Sequence, residues 1–276
     1  MIEIGKVNFL KLSKRIGAEI YLSTGNASSQ VLLMEPLPPG HNEAEWLSAF
    51  VYVDQGGHLA ATLQQPFAQV GEIAWLKVVD VNYTGAFLDW GLKKNLLIPF
   101  SEQHQELNVG DYHLVRLFLD EQQRVVATTK INRYIQDSSP YFKVGQKVSL
   151  IITDKTDIGV KAIINHSHWG MLYQNELFKP VSKGQTLDGY IKHIREDFKI
   201  DLTLYQPSYR SEVETLADKI IAKLKANNGK LAVNDKTPPE QIYQQFGVSK
   251  KVFKQALSAL FKQRKIVIED TGIRLT

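Results

Sequence analysis

The stretch VNYTGAFLDWGLKKNLLIP, residues 81–99, is where residue types and spacing first suggest chemistry. It reads as a strand, a turn and a second strand, with rings at Tyr83 and Phe87 and two cations, Lys93 and Lys94, in the turn. A ring turned outward on a strand stacks on a nucleobase for about 1–3 kcal/mol whatever the base, and needs little net charge to do so. Turned inward, Phe87 is barrel core instead. The two lysines either reach phosphates or stand solvated. Farther along, Asp120 and Arg124 flank a tight turn. The guanidinium there stacks on a base, forks a phosphate, or pairs with Asp120 across the turn. Arg116 and Lys130 are weaker cationic neighbours.

No catalytic set assembles. The chain has no phosphate-loop glycine pattern, no HExxH and no serine elbow. With no cysteine in 276 residues, disulfides, cysteine zinc sites and a thiol nucleophile are excluded together, and a reducing compartment, the cytoplasm, is the expected home. His166 and His168 beside Trp169 invite a metal reading, but no carboxylates or cysteines join them in a known arrangement, so a polar turn is expected. No apolar run approaches the roughly 18 residues of a spanning helix. The expectation is a binding protein with no enzyme activity, cofactor or membrane partner.

Charge is unevenly placed. The net value is +4, yet residues 208–276 hold 13 Lys and Arg against 7 Asp and Glu, leaving 20 against 22 for the rest. Any long-range attraction for phosphate therefore comes mostly from the C-terminal segment.

Internal repeats set the domain count. At an offset of 74, Val70-Gly71 meets Val144-Gly145, Asp80 meets Asp154, Gly85 meets Gly159 and Gly110 meets Gly184. After one extra residue, Arg124-Val125 falls on Lys199-Ile200. A weaker copy lies at offset 66, with Gly5 on Gly71 and the FVYVD ending at Asp54 on the RLFLD ending at Asp120. Three units result: 1–65, degenerate; 66–136; and 141–206, divergent. The second unit holds five short β-branched or aromatic runs between turn formers, which suits a small five-stranded OB barrel.

From residue 208 the pattern changes. Val213, Leu216, Ile220 and Leu224 recur at helical spacing, with Ser211 as the expected cap and Glu214 as its capping-box partner. PPEQIYQQF starts a short helix that Gly247 breaks. Ser249 caps a longer helix carrying Val252, Phe253, Ala256, Leu257 and Leu260, and KIVIED with IRLT forms a hairpin. That order is a winged helix-turn-helix over 208–276. The expected fold class is mainly β with a C-terminal α+β domain.

The runs VGEIAWLKVVD, GAFLDWG, NLLIP and FLDEQQRVVATTK resemble the OB-type RNA-binding repeat named after ribosomal protein S-one. Three such repeats followed by GKLAVNDKTPPEQIYQQFGVSKKVFKQALSALFKQRKI resemble the conserved virulence factor B family of bacterial RNA-binding proteins, over essentially the whole chain. The resemblance implies RNA binding and a regulatory role in gene expression. It makes Phe87 the second aromatic of the family platform. The first belongs directly before the glycine, where Thr84 stands, with Tyr83 one residue early; a one-residue shift turns a side chain to the other face unless a bulge at Gly85 re-aims it. Pro99 occupies the position where the family tends to carry a histidine. In the third unit Lys161 takes the place of Phe87 and Tyr173 that of Pro99; in the first, Glu19 would repel phosphate, so that unit is read as structural or protein-contacting.

In the winged helix, Lys250, Lys251, Lys254 and Gln255 open the second of the paired helices, where recognition helices meet nucleic acid, and Arg264 and Lys265 lead into the wing. These lysines otherwise serve only solvation around a protein-docking domain. The expectation is a monomer that binds single-stranded RNA across several weak linked sites. The rivals are a duplex-DNA transcription regulator acting through the winged helix and a scaffold for RNA-processing proteins.

Overall fold

The structure is a computed structural model that describes residues 1–25, 30–40, 45–174, 177, 180–205 and 207–276, with residues 207–212 described by backbone alone. It divides into two compact units, Met1–Ile135 and Gln136–Thr276.

The first unit holds two five-stranded sheets. Strands β1 (Lys6–Ile16), β2 (Glu19–Ser23), β3 (Gln30–Leu33), β4 (Trp46–Val53) and β5 (Leu59–Thr62) close into a barrel in the order β1-β2-β3-β5-β4. Strands β6 (Ile73–Asn82), β7 (Gly85–Asp89), β8 (Leu96–Pro99), β9 (Tyr112–Leu119) and β10 (Val125–Thr128) follow the same circular order, with the ends of the sheet at β8 and β10. In the second unit, β11 (Lys147–Thr156), β12 (Gly159–Ile164), β13 (His168–Tyr173), β14 (Thr186–Ile194) and β15 (Ile200–Thr203) close a third barrel in the order β11-β12-β13-β15-β14. Short strands, each with one face inward, bury their apolar alternates, and in the first and third sheets closure leaves no edge.

The repeat seen in the sequence has a backbone cause. Each barrel's first strand carries a register shift at the same place, between Leu12 and Lys14, Val78 and Asp80, and Ile152 and Lys155. Such bulges bend a strand enough to serve two neighbours in a small barrel. Gly85 and Gly159 start the second strand of their barrels where the third strand's main chain crosses closely. A Cβ would lie 2.2 Å from the Ile98 carbonyl oxygen at Gly85 and 2.1 Å from that of Leu172 at Gly159, so only glycine fits.

The cores follow from period two. In the second barrel Val78, Ala86, Leu88, Ile98, Val115, Leu117 and Ala127 are fully buried. Phe50, from β4 of the first barrel, joins that core with no exposed surface and meets Trp90 edge to face, ring centroids 5.5 Å apart. Its ring thus ties the first two barrels into one body. Gly5 supports the same junction: its carbonyl accepts from the Val70 N–H at 2.9 Å, and Val7 N–H donates to the Gln69 side chain at 2.8 Å.

The C-terminal domain comprises α1 (Pro207–Ala226), β16 (Lys230–Leu231), α2 (Pro239–Phe246), α3 (Lys250–Lys262), β17 (Ile266–Glu269) and β18 (Gly272–Leu275). One side of α1, at Val213, Leu216, Ile220 and Leu224, packs with Ile242, Phe253, Leu257 and Ile273 into a single core. Gly247 ends α2 in the left-handed region and the Ser249 hydroxyl caps α3 by accepting from the Val252 N–H, as the spacing predicts. Two features differ from expectation. Helix α1 begins at Pro207, so Ser211 and Glu214 lie inside it rather than at its start; proline, with φ preset and no N–H to lose, is suited to a first helical position. The pair Lys230–Leu231 adds a short strand against β18, giving a three-stranded sheet of order β16-β18-β17. Two residues are too few to announce a strand by alternation.

Candidate nucleic-acid interface

Strand β7 sets the direction of Phe87. Its neighbours Ala86 and Leu88 are fully buried inside the barrel, so the pleat turns Phe87 to the outer side, where it is half-buried opposite Asp80 on β6 and Leu97 on β8. Phe87 is not part of the core; it lines a cleft of about 880 Å3 between the first two barrels. Lys93, Lys94 and Arg124 line the same cleft, while Tyr52, Asp54 and Gln64 come from the first barrel's side. Two main-chain contacts hold the lysine turn: Trp90 donates its indole N–H to the Lys94 carbonyl at 2.6 Å, and the Lys93 N–H donates to the Gln64 side chain at 3.2 Å. Both lysine side chains stand exposed.

The cleft lining carries both signs, Glu35, Asp54 and Asp80 beside Lys93, Lys94 and Arg124. The Asp54 carboxyl is held below its usual range first by the His58 N–H, then by that of Gly56, and also by the charges of His58 and Lys94. Burial first pushes the Tyr52 hydroxyl above its ordinary value, with Glu35 and Asp54 adding to the rise. Of the roles open to Arg124, the one present is the ion pair, its guanidinium 2.7 Å from Asp120. Burial works to raise the Asp120 carboxyl, but hydrogen bonds from Arg124 and its charge win, leaving it lowered. The pair and the cleft lining are therefore compatible roles for Arg124.

Other residues singled out from the sequence fall outside this cleft's lining. Tyr83 sits in the two-residue turn between β6 and β7 and is 95% exposed. The register shift lies at Val78/Asp80 and not at Gly85, which pairs with Asn82 to close the turn, so no bulge re-aims the Tyr83 ring. Arg116 lies over the Tyr134 ring, 4.7 Å from its centroid, and Lys130 donates to the Ser101 carbonyl at 2.5 Å. Pro99 pairs with Gly85 at the end of β8. In the first barrel Glu19 accepts a hydrogen bond from the Tyr21 hydroxyl at 2.7 Å.

In the third barrel the equivalent strands carry cations on rings. Lys161 lies 3.8 Å from the Trp169 ring centroid, and Arg195 lies 5.7 Å from that of Tyr173 while donating to its hydroxyl. Asp201 fixes Arg195 at 2.8 Å, and its hydrogen bond is the main reason the guanidinium is held above its usual range. Register places Lys161 opposite Met171 and Gly159 opposite Tyr173, matching Phe87 opposite Leu97 and Gly85 opposite Pro99. Sequence reasoning missed Trp169 and Arg195. The first stands two residues from Met171 on the same strand face, a period-two signal that was readable; the second is 22 residues from Tyr173 and was not. His166 and His168 occupy the β12–β13 turn and the start of β13. The His168 ring packs edge to face on Phe142 at 5.0 Å, and burial lowers its pKa.

In the winged helix, Lys251 and Lys254 are exposed near the start of α3, and Lys250 and Gln255 are half-buried. The Lys250 ammonium donates to the Lys236 carbonyl at 3.3 Å. Arg264 and Lys265 are exposed between α3 and β17. Charges at the turn of the wing are paired: Glu269 with Arg274 at 2.5 Å and Asp270 with Lys236 at 3.0 Å.

Two family models match parts of this architecture. Residues 70–130 match the S1 domain, and residues 218–275 match the CvfB-like winged helix domain. The chain is 26% identical over 271 residues to YitL of Bacillus subtilis, covering 91% of this chain and 86% of that one. It is 25% identical over 284 residues to conserved virulence factor B of Staphylococcus epidermidis, covering 99% and 95%. A crystal structure of a multidomain protein with nucleic acid binding domains from Streptococcus pneumoniae aligns over 99% of this chain and 98% of its own, at 22% identity and a TM-score of 0.39.

Proposed function

We propose, from the premise of a chain that carries an S1 domain and a CvfB-like winged helix domain and is similar to conserved virulence factor B proteins over nearly its whole length, that this protein binds single-stranded RNA without catalysing a reaction. Both domain types are nucleic-acid-binding domains. The S1 domain match favours RNA, and the choice of a single strand rests on one observation: Phe87 faces out of its barrel into a cleft that Lys93, Lys94 and Arg124 also line. A ring with cations nearby suits an unpaired base and its phosphates, since stacking needs an open base face. The third barrel and α3 supply further weak sites. Joined on one chain, such sites gain from effective concentration when geometry lets them engage together.

The biological role follows as part of the same proposal: a cytoplasmic monomer that influences gene expression after transcription, in company with RNA-processing proteins. A duplex-DNA reading draws on the lysines of α3, but the wing adds little attraction for a phosphate backbone, since Arg274 and Lys236 there are paired with Glu269 and Asp270.

The test is a binding series with single-stranded RNA, single-stranded DNA and duplex DNA at several salt concentrations. Replacing Phe87 by Ala is expected to weaken single-stranded RNA binding by about five- to 150-fold, the loss of one stacked base, while thermal unfolding stays close to that of the parent. Tighter binding to duplex DNA than to either single strand would instead favour the transcription reading.

A further inference from the structure

The outer face of the second barrel is short of one ring. Thr84 stands directly before Gly85, and Tyr83 projects from the turn outside the cleft lining. The first barrel offers a replacement from across the cleft. Tyr52, near the end of β4, lines the same cleft as Phe87 and is half-buried. It is held firmly: Phe50, two residues earlier on the same strand face, is locked into the second barrel's core, and the two rings lie nearly parallel with centroids 6.3 Å apart.

We propose that Tyr52 is the second stacking ring of the RNA site, so that the degenerate first barrel completes a slot whose other wall is Phe87. This rests on the RNA-binding reading above. Three observations lead to a nucleotide as the occupant. Rings stand on both walls, and exposed cations of the second barrel, Lys93 and Lys94, border them. On the first barrel's side the polar side chains of Asp54 and Gln64, each fixed by main-chain N–H donors, complete the lining beside the rings. Both walls belong to one compact unit, so the slot does not depend on a hinge. A duplex, whose bases already stack on both faces, offers neither ring a partner; a single strand does. The first barrel thereby becomes a selector for unpaired RNA instead of a spacer.

The experiment uses the full chain and a short uridine-rich RNA carrying 4-thiouridine, with affinity, thermal unfolding and photo-cross-linking read together. Tyr52→Leu keeps apolar packing against Phe50 but removes the aromatic face, and is expected to weaken RNA binding about tenfold. Tyr52→Phe keeps the ring and should bind within about twofold of the parent, because stacking needs only the π-face. Irradiation of the parent should place a cross-link on the peptide containing Tyr52. If Tyr52→Leu binds as the parent does while Phe87→Ala is weakened, Tyr52 only packs on Phe50 and the proposal falls, leaving the RNA-binding reading in place. If both variants bind normally, that reading falls too. Should Tyr52→Leu lower the unfolding temperature, Tyr52→Phe and the cross-link decide: normal binding with a Tyr52 cross-link supports the slot, and absence of the cross-link overturns it.

Discussion

The second and third barrels share a backbone plan and differ in where they keep their cations. In both, the fourth strand turns into the fifth through the same hairpin. The Asp120 N–H donates to the Arg124 carbonyl, the Arg195 N–H to that of Lys199, both at 3.0 Å, with Gln123 and Phe198 in the left-handed region. The side chains on that plan diverge. The second barrel pairs Arg124 with Asp120 and presents the Phe87 ring to a cleft; the third places Lys161 on Trp169 and Arg195 on Tyr173. A ring covered by a cation is less available for stacking, whereas a cation resting on a ring is held in place for a phosphate. The difference teaches that one small fold can present a bare ring or ring-bound cations by changing a few outward residues, while the inward positions change identity but stay apolar.

Three measurements sharpen or break this contrast. The largest effect is expected from Phe50→Ala, which empties a fully buried site shared by the first two barrels. Its cost should be about 3–5 kcal/mol, seen as a lowered denaturation midpoint for the Met1–Ile135 unit with the other unit unaffected. Equal loss in both units would mean that they unfold as one. A middle-sized effect belongs to Lys161→Gln, which should flatten the log–log salt dependence of single-stranded RNA binding by about 0.7, the share of one phosphate contact. Phe87→Ala should leave that slope almost unchanged; a reversed pattern would undo the assignment of stacking to one barrel and charge to the other. The smallest is Asp120→Asn. Because the Asp120 carboxyl is lowered in the folded state, the ion pair stabilises above the ordinary aspartate range and is lost as pH falls through the lowered value. At neutral pH the variant should be less stable by under about 1 kcal/mol, as partly exposed pairs are. The gap should vanish in strong acid, and a gap that persisted there would assign the effect to packing.

Much of the fold was legible because its signals are local. Glycines where one strand crosses another, alternation along each strand, and the Ser249 and Gly247 caps all act over a few residues. The direction of Phe87 stayed open in the sequence, where only the family motif favoured the outer face, until the burial of Ala86 and Leu88 on either side turned it outward. Signals failed where the deciding partner was remote or the element was too short. The start of α1 at Pro207 and the two-residue strand β16 lacked a usable pattern, and Tyr83 needed the position of a bulge that alternation cannot locate.

By itself the sequence determined three repeats and a winged helix and the basic start of α3, since turn formers, alternation and caps tie each of these to residues nearby. Only the tertiary structure decided that Phe50 leaves its own barrel for the next, that Tyr52 thereby lines the Phe87 cleft, and that Arg195 settles on Tyr173. Each depends on side chains about 20 to 40 positions apart in the chain, brought together by barrel closure and by a core that two barrels share, and no periodicity within a single strand carries that information.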